Sequence, residues 1–370
     1  MSKLEELMQQ YCPDGVEYVK LGDIEDQGYI KLGRGNVISK QDMKDCPGDF
    51  PVYSSSSVGD GEIGRYGKYM FDDERISWSI DGGGKFFYRN NLRYSITNVS
   101  GWLKVLAPKV VSTKYLYYTL MNEWVKKVYD YTHKAHPSVI REEYIIPIPP
   151  LPVQEEIVKI LDAFAELQAE LQAELQKRLQ QYNYYRDNLL SFEGRTDVKY
   201  LPIKEVLKIK NGRDYKHLGE GSVPVYGSGG IMTYVDTAVY DKPSVLIPRK
   251  GSIDKLYYVD KPFWNVDTVF YTEINKSILV EKYLFYLLQK EHLERLNTAG
   301  GVPSLTQAVL NEVIISIPAL EEQKRIVSIL DRFEALTNDL TAGLPAEIEK
   351  RKQQYEYYRD RLLTFKRKEA

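Results

Sequence analysis

Histidine and cysteine are scarce in this chain of 370 residues, which holds four of the first and two of the second. His133, His136, His217 and His292 show no metal-ligand spacing, and Cys12 and Cys46 are too few for a disulfide framework. No apolar run nears the roughly 18 residues that cross a bilayer. The opening KLEELMQQ is too polar for the core of a secretory signal. These absences exclude a disulfide-stapled scaffold and a membrane-spanning helix, and they lead us to expect a cytoplasmic protein with no metal site. A surplus of positive charge is missing as well, since 50 Lys and Arg stand against 52 Asp and Glu, a net charge of −2. Neither half of the chain holds a basic field. Any nucleic-acid binding must therefore use local clusters or borrow positive charge from a partner.

Catalytic motifs are missing too. Gly59 to Gly64 spells the dinucleotide pattern GxGxxG, but Arg65, Tyr66 and Gly67 follow in a strand-like run where a helix N-terminus is needed. Gly82-Gly83-Gly84-Lys85 has the end of a phosphate-binding loop, with Ser79 where its first glycine belongs. There is no Asn-Pro-Pro-aromatic motif of the kind that holds a flipped adenine, and no clear acidic pair beside a lysine. The chain is expected to carry no catalytic residue and no cofactor.

What is present is a repeat. The stretch from Leu151 opens LPVQEEIVKILDAF and closes QQYNYYRDNLLSF at Phe192; from Leu320 the chain reads LEEQKRIVSILDRF and closes QQYEYYRDRLLTF at Phe365. In the closing segments ten of thirteen positions are identical, which marks a duplicated element. The apolar positions Ile157, Leu161, Phe164, Leu167, Leu171, Leu175, Leu179, Tyr182, Tyr185 and Leu189 recur at the α-helical period. With no Pro or Gly from 153 to 193, one helix of about 60 Å follows at about 1.5 Å per residue. It is too long for one small domain and needs a second helix along its stripe. Its middle, Ala165 to Gln176, is AELQ three times over. Each unit advances about 6 Å and over-rotates by about 40°, so the leucines drift around the helix. The second copy is four residues longer between Phe333 and Tyr355, and Gly343 and Pro345 should break it in two.

The segments before each helix correspond as well. Ser2 and Glu5 predict a short capped helix at the start. GEIGRYGKYMF, ERISWSI and KFFYRNNLRYSI predict strands and turns, and KYLYYTLMNEWVKKVYDY from Lys114 predicts an amphipathic helix. PVYSSSS at Pro51 answers PVYGSGG at Pro224, KYLYYTL answers KYLFYLL at Lys282, and Ile148-Pro149 answers Ile317-Pro318. Between these anchors the halves diverge: ISWSIDGGGKFFYRNN has no close counterpart in SVLIPRKGSIDKLYYVD. The fold class is therefore α+β, with two β-rich domains in tandem, each followed by a long helix. The expected boundaries are 1–150, 151–193, 194–318 and 319–370. One scaffold with two unlike middles suits a protein that reads two targets at a set separation.

IPIPPLPVQEEIVKILD and ISIPALEEQKRIVSILD, each with its QQY-x-YYRD-x-LL end, resemble the specificity (S) subunit of Type I restriction–modification systems. PVYGSGG and LIPRKGSIDK add to the likeness, which covers essentially the whole chain. The resemblance implies two target recognition domains on the halves of a bipartite, asymmetric site in double-stranded DNA. It implies an antiparallel coiled coil with internal pseudo-twofold symmetry that sets the spacer, two methyltransferase (M) subunits that hold S-adenosylmethionine, and restriction (R) subunits in the full complex. The S subunit itself catalyses nothing. The first copy reads LPVQEEI where the second keeps the more typical LEEQKRI.

For DNA contact we look to loops where a cation, a hydroxyl or amide, and an aromatic occur together. In the first domain these give Tyr53, Ser55, Ser56, Arg65, Lys68 and Lys85; in the second, Tyr226, Ser228, Arg249, Lys250, Ser252 and Lys255. Thirty of the 45 aromatics are tyrosines, which suit base and sugar faces and equally a wet β surface. Duplicated positions on the helices, Gln154 and Gln323, Tyr185 and Tyr358, Arg186 and Arg359, are candidates for M-subunit docking, since two identical partners would meet equivalent surfaces. The tyrosines could instead pack locally, and each arginine could pair with the Asp that follows it. The alternative for the whole chain is a non-catalytic coiled-coil adaptor with two protein-binding β domains.

Overall fold

The short alternating runs become antiparallel sheet, and the chain builds the same arrangement twice. The structure, a computed structural model, describes residues 2–56, 59–130, 132–297, 303–337 and 343–368. It divides into two compact units, Met1–Glu170 with Glu349–Ala370, and Leu171–Ile348. The division passes through the long helices, so each unit holds one β-rich domain and helix segments from both copies of the repeat.

In the first unit a four-stranded sheet runs in the order Ile30–Arg34, Ser100–Val105, Arg75–Ser79, Phe86–Arg89, all antiparallel. A three-stranded sheet pairs Phe50–Tyr53 with Glu62–Tyr66 antiparallel and with Ser95–Ile96 parallel. A ribbon of Tyr18–Lys20 and Ile145–Pro147 joins the domain's entry to its exit. The second unit repeats every piece: Leu207–Asn211, Val269–Ile274, Ser244–Pro248 and Tyr257–Val259 in one sheet, Gly230–Val235, Glu220–Gly227 and Trp264–Asn265 in the other, and the ribbon Lys199–Pro202 with Ile314–Ile317. The middles that share little sequence share this topology, because alternation and turn placement survive changes of side chain.

Tryptophan anchors the first core. Trp78 is 1% exposed and satisfies its indole N–H on the Ala135 carbonyl at 2.7 Å. Gly101 faces it across the sheet, where a Cβ would lie 2.2 Å from the ring. Ile30, Ile76, Phe86, Leu103, Leu116 and Leu120 complete the cluster. The helix Thr113–Trp124 closes it, one residue earlier than the apolar period predicts because Ser112 is its N-cap. In the second unit Glu281–Lys290 does the same over Val245, Ile247 and Phe270. Two helices that local period did not reveal, Lys40–Asp45 and Pro137–Glu143, are each under two full turns.

The first long helix is continuous from Leu151 to Leu189, 39 residues. The second copy is Leu320–Thr337 and Leu344–Leu362, with Gly343 outside the helix as expected and Pro345 in the first turn of the second segment. Within each unit the helix segments pack together, antiparallel in the first. In the first, Ile157 and Leu161 cluster with Leu363, and Phe164 stacks on Tyr358 with centroids 5.4 Å apart. In the second, Tyr185 stacks on Phe333 at 5.2 Å. Full burial of Ile157, Leu161, Ile326 and Leu330 contributes roughly 2–3 kcal/mol each. The opening helix Lys3–Tyr11 has the expected capping box, Ser2 with Glu5. Among the described residues no helix is long and apolar enough to cross a membrane.

Candidate functional site

In both domains two loops converge at one end of the sheets. In the first, the loop after Phe50–Tyr53 meets the loop after Arg75–Ser79. Ser79 donates its hydroxyl to the Ser55 carbonyl at 2.8 Å, and Ser54 and Thr97 hydroxyls lie 2.8 Å apart. Gly82 leaves no room for a side chain, since a Cβ there would fall 1.7 Å from the Ser55 oxygen. Beneath the loops lies Arg89, 5% exposed. Its Nε donates to Ser77 Oγ at 3.2 Å and its Nη2 to the Asp60 carbonyl at 2.5 Å. Its guanidinium lies 3.5 Å from the Tyr53 ring centre and 4.9 Å from that of Phe87. Burial pulls Arg89 below the usual arginine value and pushes the Tyr53 phenol up.

The residues expected to contact DNA in the first domain do not all stand at this convergence. Tyr53, 6% exposed, is an interior ring and offers no face to DNA. Arg65 stands opposite Pro51 at the far end of its hairpin, paired with Glu62 at 3.1 Å and bonded to the Asp49 carbonyl at 2.8 Å. Lys68 lies beyond that end, exposed. Ser55, Ser56 and Lys85 remain at the convergence, half-buried, with Lys85 Nζ 5.2 Å from the Phe87 ring centre.

The second domain brings its expected residues together. Tyr257 donates its hydroxyl to the Ser228 carbonyl at 3.0 Å, and the Tyr226 and Tyr257 rings lie 5.8 Å apart. Gly251 turns with φ +75°, and a Cβ there would sit 3.4 Å from Ser228 Oγ. Around that turn stand Arg249, Lys250, Ser252 and Lys255, with both lysines exposed. The backbone of Arg249 is fixed by Thr268 at 2.8 Å and Leu305 at 2.9 Å. Its guanidinium lies 5.0 Å from the Phe270 ring centre, and its buried Nε has no hydrogen-bond partner among the described residues. The first tip buries its arginine under the loops; the second holds one half-buried beside its glycine turn.

The helix positions considered for docking divide. Gln154 and Gln323 are fully buried. Gln154 Nε2 donates to the carbonyls of Pro149 at 2.7 Å and Val110 at 2.9 Å, and its Oε1 accepts from the Ser112 amide at 2.8 Å. Gln323 makes the equivalent bonds to Pro318, Ile278 and Val280. Neither has surface to give a partner, because the turns after the exit strand and before the domain helix leave buried backbone groups that the amide satisfies. Arg186 and Arg359 turn onto Asp187 and Asp360, and Arg359 also donates to Asn122 at 3.1 Å. Tyr185 and Tyr358 keep 43% and 37% of their surface exposed. Arg89 was missed in the sequence, as were Lys114, Tyr118 and Asp162, although the KYL and ILD anchors that contain the last three are duplicated.

A family model described as the Type I restriction modification DNA specificity domain matches twice, over residues 13–181 and 196–350. The chain belongs to that family. The specificity subunit of the Escherichia coli type I restriction enzyme EcoR124I/EcoR124II is 35% identical, with 70% of this chain and 72% of that one aligned. A crystal structure of a type I restriction–modification S subunit from M. genitalium shares the fold, with a TM-score of 0.62 at 17% identity over 94% of this chain and 96% of that one. A chain from a solved structure on complex assembly of the type I R–M system aligns with a TM-score of 0.58 at 14% identity, over 95% and 98%. As a type I specificity subunit, the chain recognises DNA for a restriction–modification system and is not itself the catalyst.

Proposed function

We propose that each β-rich domain reads one half of a bipartite, asymmetric site in double-stranded DNA through its two-loop tip, and that the helices set the distance between the halves. One observation carries this reading: a single topology is present twice with chemically unlike tips. In the first, half-buried Ser55, Ser56 and Lys85 stand at the loops above a buried Arg89. In the second, Arg249, Lys250, Ser252 and Lys255 surround a glycine turn. Different tips on one scaffold select different bases, whereas a symmetric reader would repeat its tip.

With a net charge of −2 the chain alone supplies little of the counterion-release term that dominates DNA affinity. Two M subunits, docked at equivalent helix surfaces that include Tyr185 and Tyr358, provide that charge, hold S-adenosylmethionine and flip the target base; R subunits complete the nuclease. The complex acts on DNA in the cytoplasm.

The test is to map methylated sites of the complex with and without the AELQ unit Ala169–Gln172. Four residues remove about 6 Å of helix, comparable to one or two base pairs at about 3.4 Å each. The same half-sites with a changed spacer support the reading. An unchanged spacer overturns it.

A further inference from the structure

Each long helix begins by gripping the β-rich domain before it, and the grip is the same twice over. At its start the buried amide of Gln154 or Gln323 ties a carbonyl just past the exit strand to a carbonyl and an amide in the turn that leads into the domain helix. Eight residues on, an aspartate completes it. Asp162 accepts the Tyr118 hydroxyl at 2.6 Å and the Lys114 ammonium at 2.8 Å; Asp331 accepts Tyr286 at 2.6 Å and Lys282 at 2.9 Å. In each domain helix the lysine and tyrosine are four residues apart and so share a face. Between glutamine and aspartate lie the buried Ile157 and Leu161, or Ile326 and Leu330.

Apolar packing alone would hold domain to helix but leave it free to rock. Two directional attachments about 12 Å apart, eight residues at about 1.5 Å, remove that freedom, because a pivot about one strains the other.

The two grips differ at one position. Three residues after Asp331 stands Glu334, which accepts the Tyr286 hydroxyl at 2.8 Å and lies 3.4 Å from Lys282. Burial pulls Lys282 down, but the two carboxylates outweigh it and hold the ammonium above its ordinary range. The equivalent residue in the first unit is Ala165. There a cleft of about 660 Å³ opens beside Lys114, Asp162 and Ala165; Asp60 and Glu166 also line it, but among the described residues Asp162 is the one carboxylate bonded to Lys114 and Tyr118.

We propose that these residues position each recognition domain at a fixed angle on its helix and thereby determine how strictly half-site spacing is read, the first grip being the more compliant because it lacks one carboxylate. This rests on the reading that the helices set the spacing.

The full chain, assembled with its methyltransferase partners, is tested on DNA carrying both half-sites with spacers of graded length. The readout is methylation at neighbouring spacer lengths relative to the best one. A smaller folded fraction lowers all lengths alike and leaves this ratio unmoved. Glu334→Ala and Tyr286→Phe are expected to raise the ratio about tenfold, the scale of one charge-assisted hydrogen bond, with the half-site bases and best spacer unchanged. Ala165→Glu copies the second carboxylate into the cleft and is expected to lower it. Should Glu334→Ala fail to fold, Tyr286→Phe, which deletes one hydroxyl, and Ala165→Glu decide the matter. Ratios equal to the original in folded variants overturn the proposal, and they do so alone if loss of an AELQ unit still shifts the best spacer. If that deletion shifts nothing, the spacing reading falls and this inference falls with it.

Discussion

The Arg89 guanidinium carbon lies 3.5 Å from the centre of the Tyr53 ring. A cation over a desolvated aromatic face is favourable by about 1–2 kcal/mol, and here it compensates a charge that among the described residues hydrogen-bonds no carboxylate. Through the Asp60 carbonyl the same arginine fixes the first recognition loop. The pair is thus a support under the tip, one step away from DNA.

Replacing Arg89 by Met should therefore cost the first domain about 1–3 kcal/mol, the range for lost bonds from a charged donor together with the ring contact. Discrimination at one half-site should weaken while the other is read as before. Thermal unfolding and methylation of substrates with either half altered check both parts. Equal losses at the two halves would mean that Arg89 supports the fold generally and not the tip.

Asp73 gives the first unit an acid-sensitive element. Burial pushes its carboxyl up, but hydrogen bonds and charge from Arg75 and Lys104 outweigh that and hold it below the ordinary carboxylate range. A group depressed in the folded state stabilises fully above its unfolded pKa of about 3.9 and loses that contribution as pH falls through the folded value. Stability measured from pH 6 downward should therefore fall with a smaller slope in Asp73→Asn than in the original chain. Parallel slopes would remove Asp73 from the acid response.

How far the sequence could be read follows from what is local. Helix period, strand alternation and Gly or Pro punctuation are properties of neighbouring residues, so the repeat, the long helix and a non-helical Gly343 in the second copy stood in the sequence. Where a side chain points depends on distant chain. Tyr53 and Tyr226 both end a PVY motif, yet Tyr53 is interior because Arg89, from a later strand, lies over it. QEE at the head of a helix looks like a solvated first turn. Gln154 is buried because Val110 and Ser112, more than 40 residues earlier, bring it a carbonyl and an amide. Arg89 itself sits in YRNN, which looks like the flank of a turn, and nothing nearby in sequence marks it as interior.

Arg249 tests the second tip most sharply, because its stability and function pull apart. Its Nε is buried without a partner among the described residues, and an unsatisfied donor of this kind carries a desolvation cost of about 1–3 kcal/mol. Arg249→Met keeps an unbranched stem over Phe270 and deletes that donor, so thermal stability should hold or rise. Recognition of one half-site should nevertheless fall about ten- to hundredfold, the scale of one lost two-bonded base contact. Exposed Lys255, by contrast, has the chemistry of a phosphate contact. Lys255→Ala should weaken binding evenly across sequences and lower the salt slope by about 1. Melting curves, methylation of half-site variants and binding at graded salt separate these outcomes. If Arg249→Met loses stability and recognition in proportion, the arginine serves the fold. If it keeps the first while losing the second, the strained donor is retained for the base it reads.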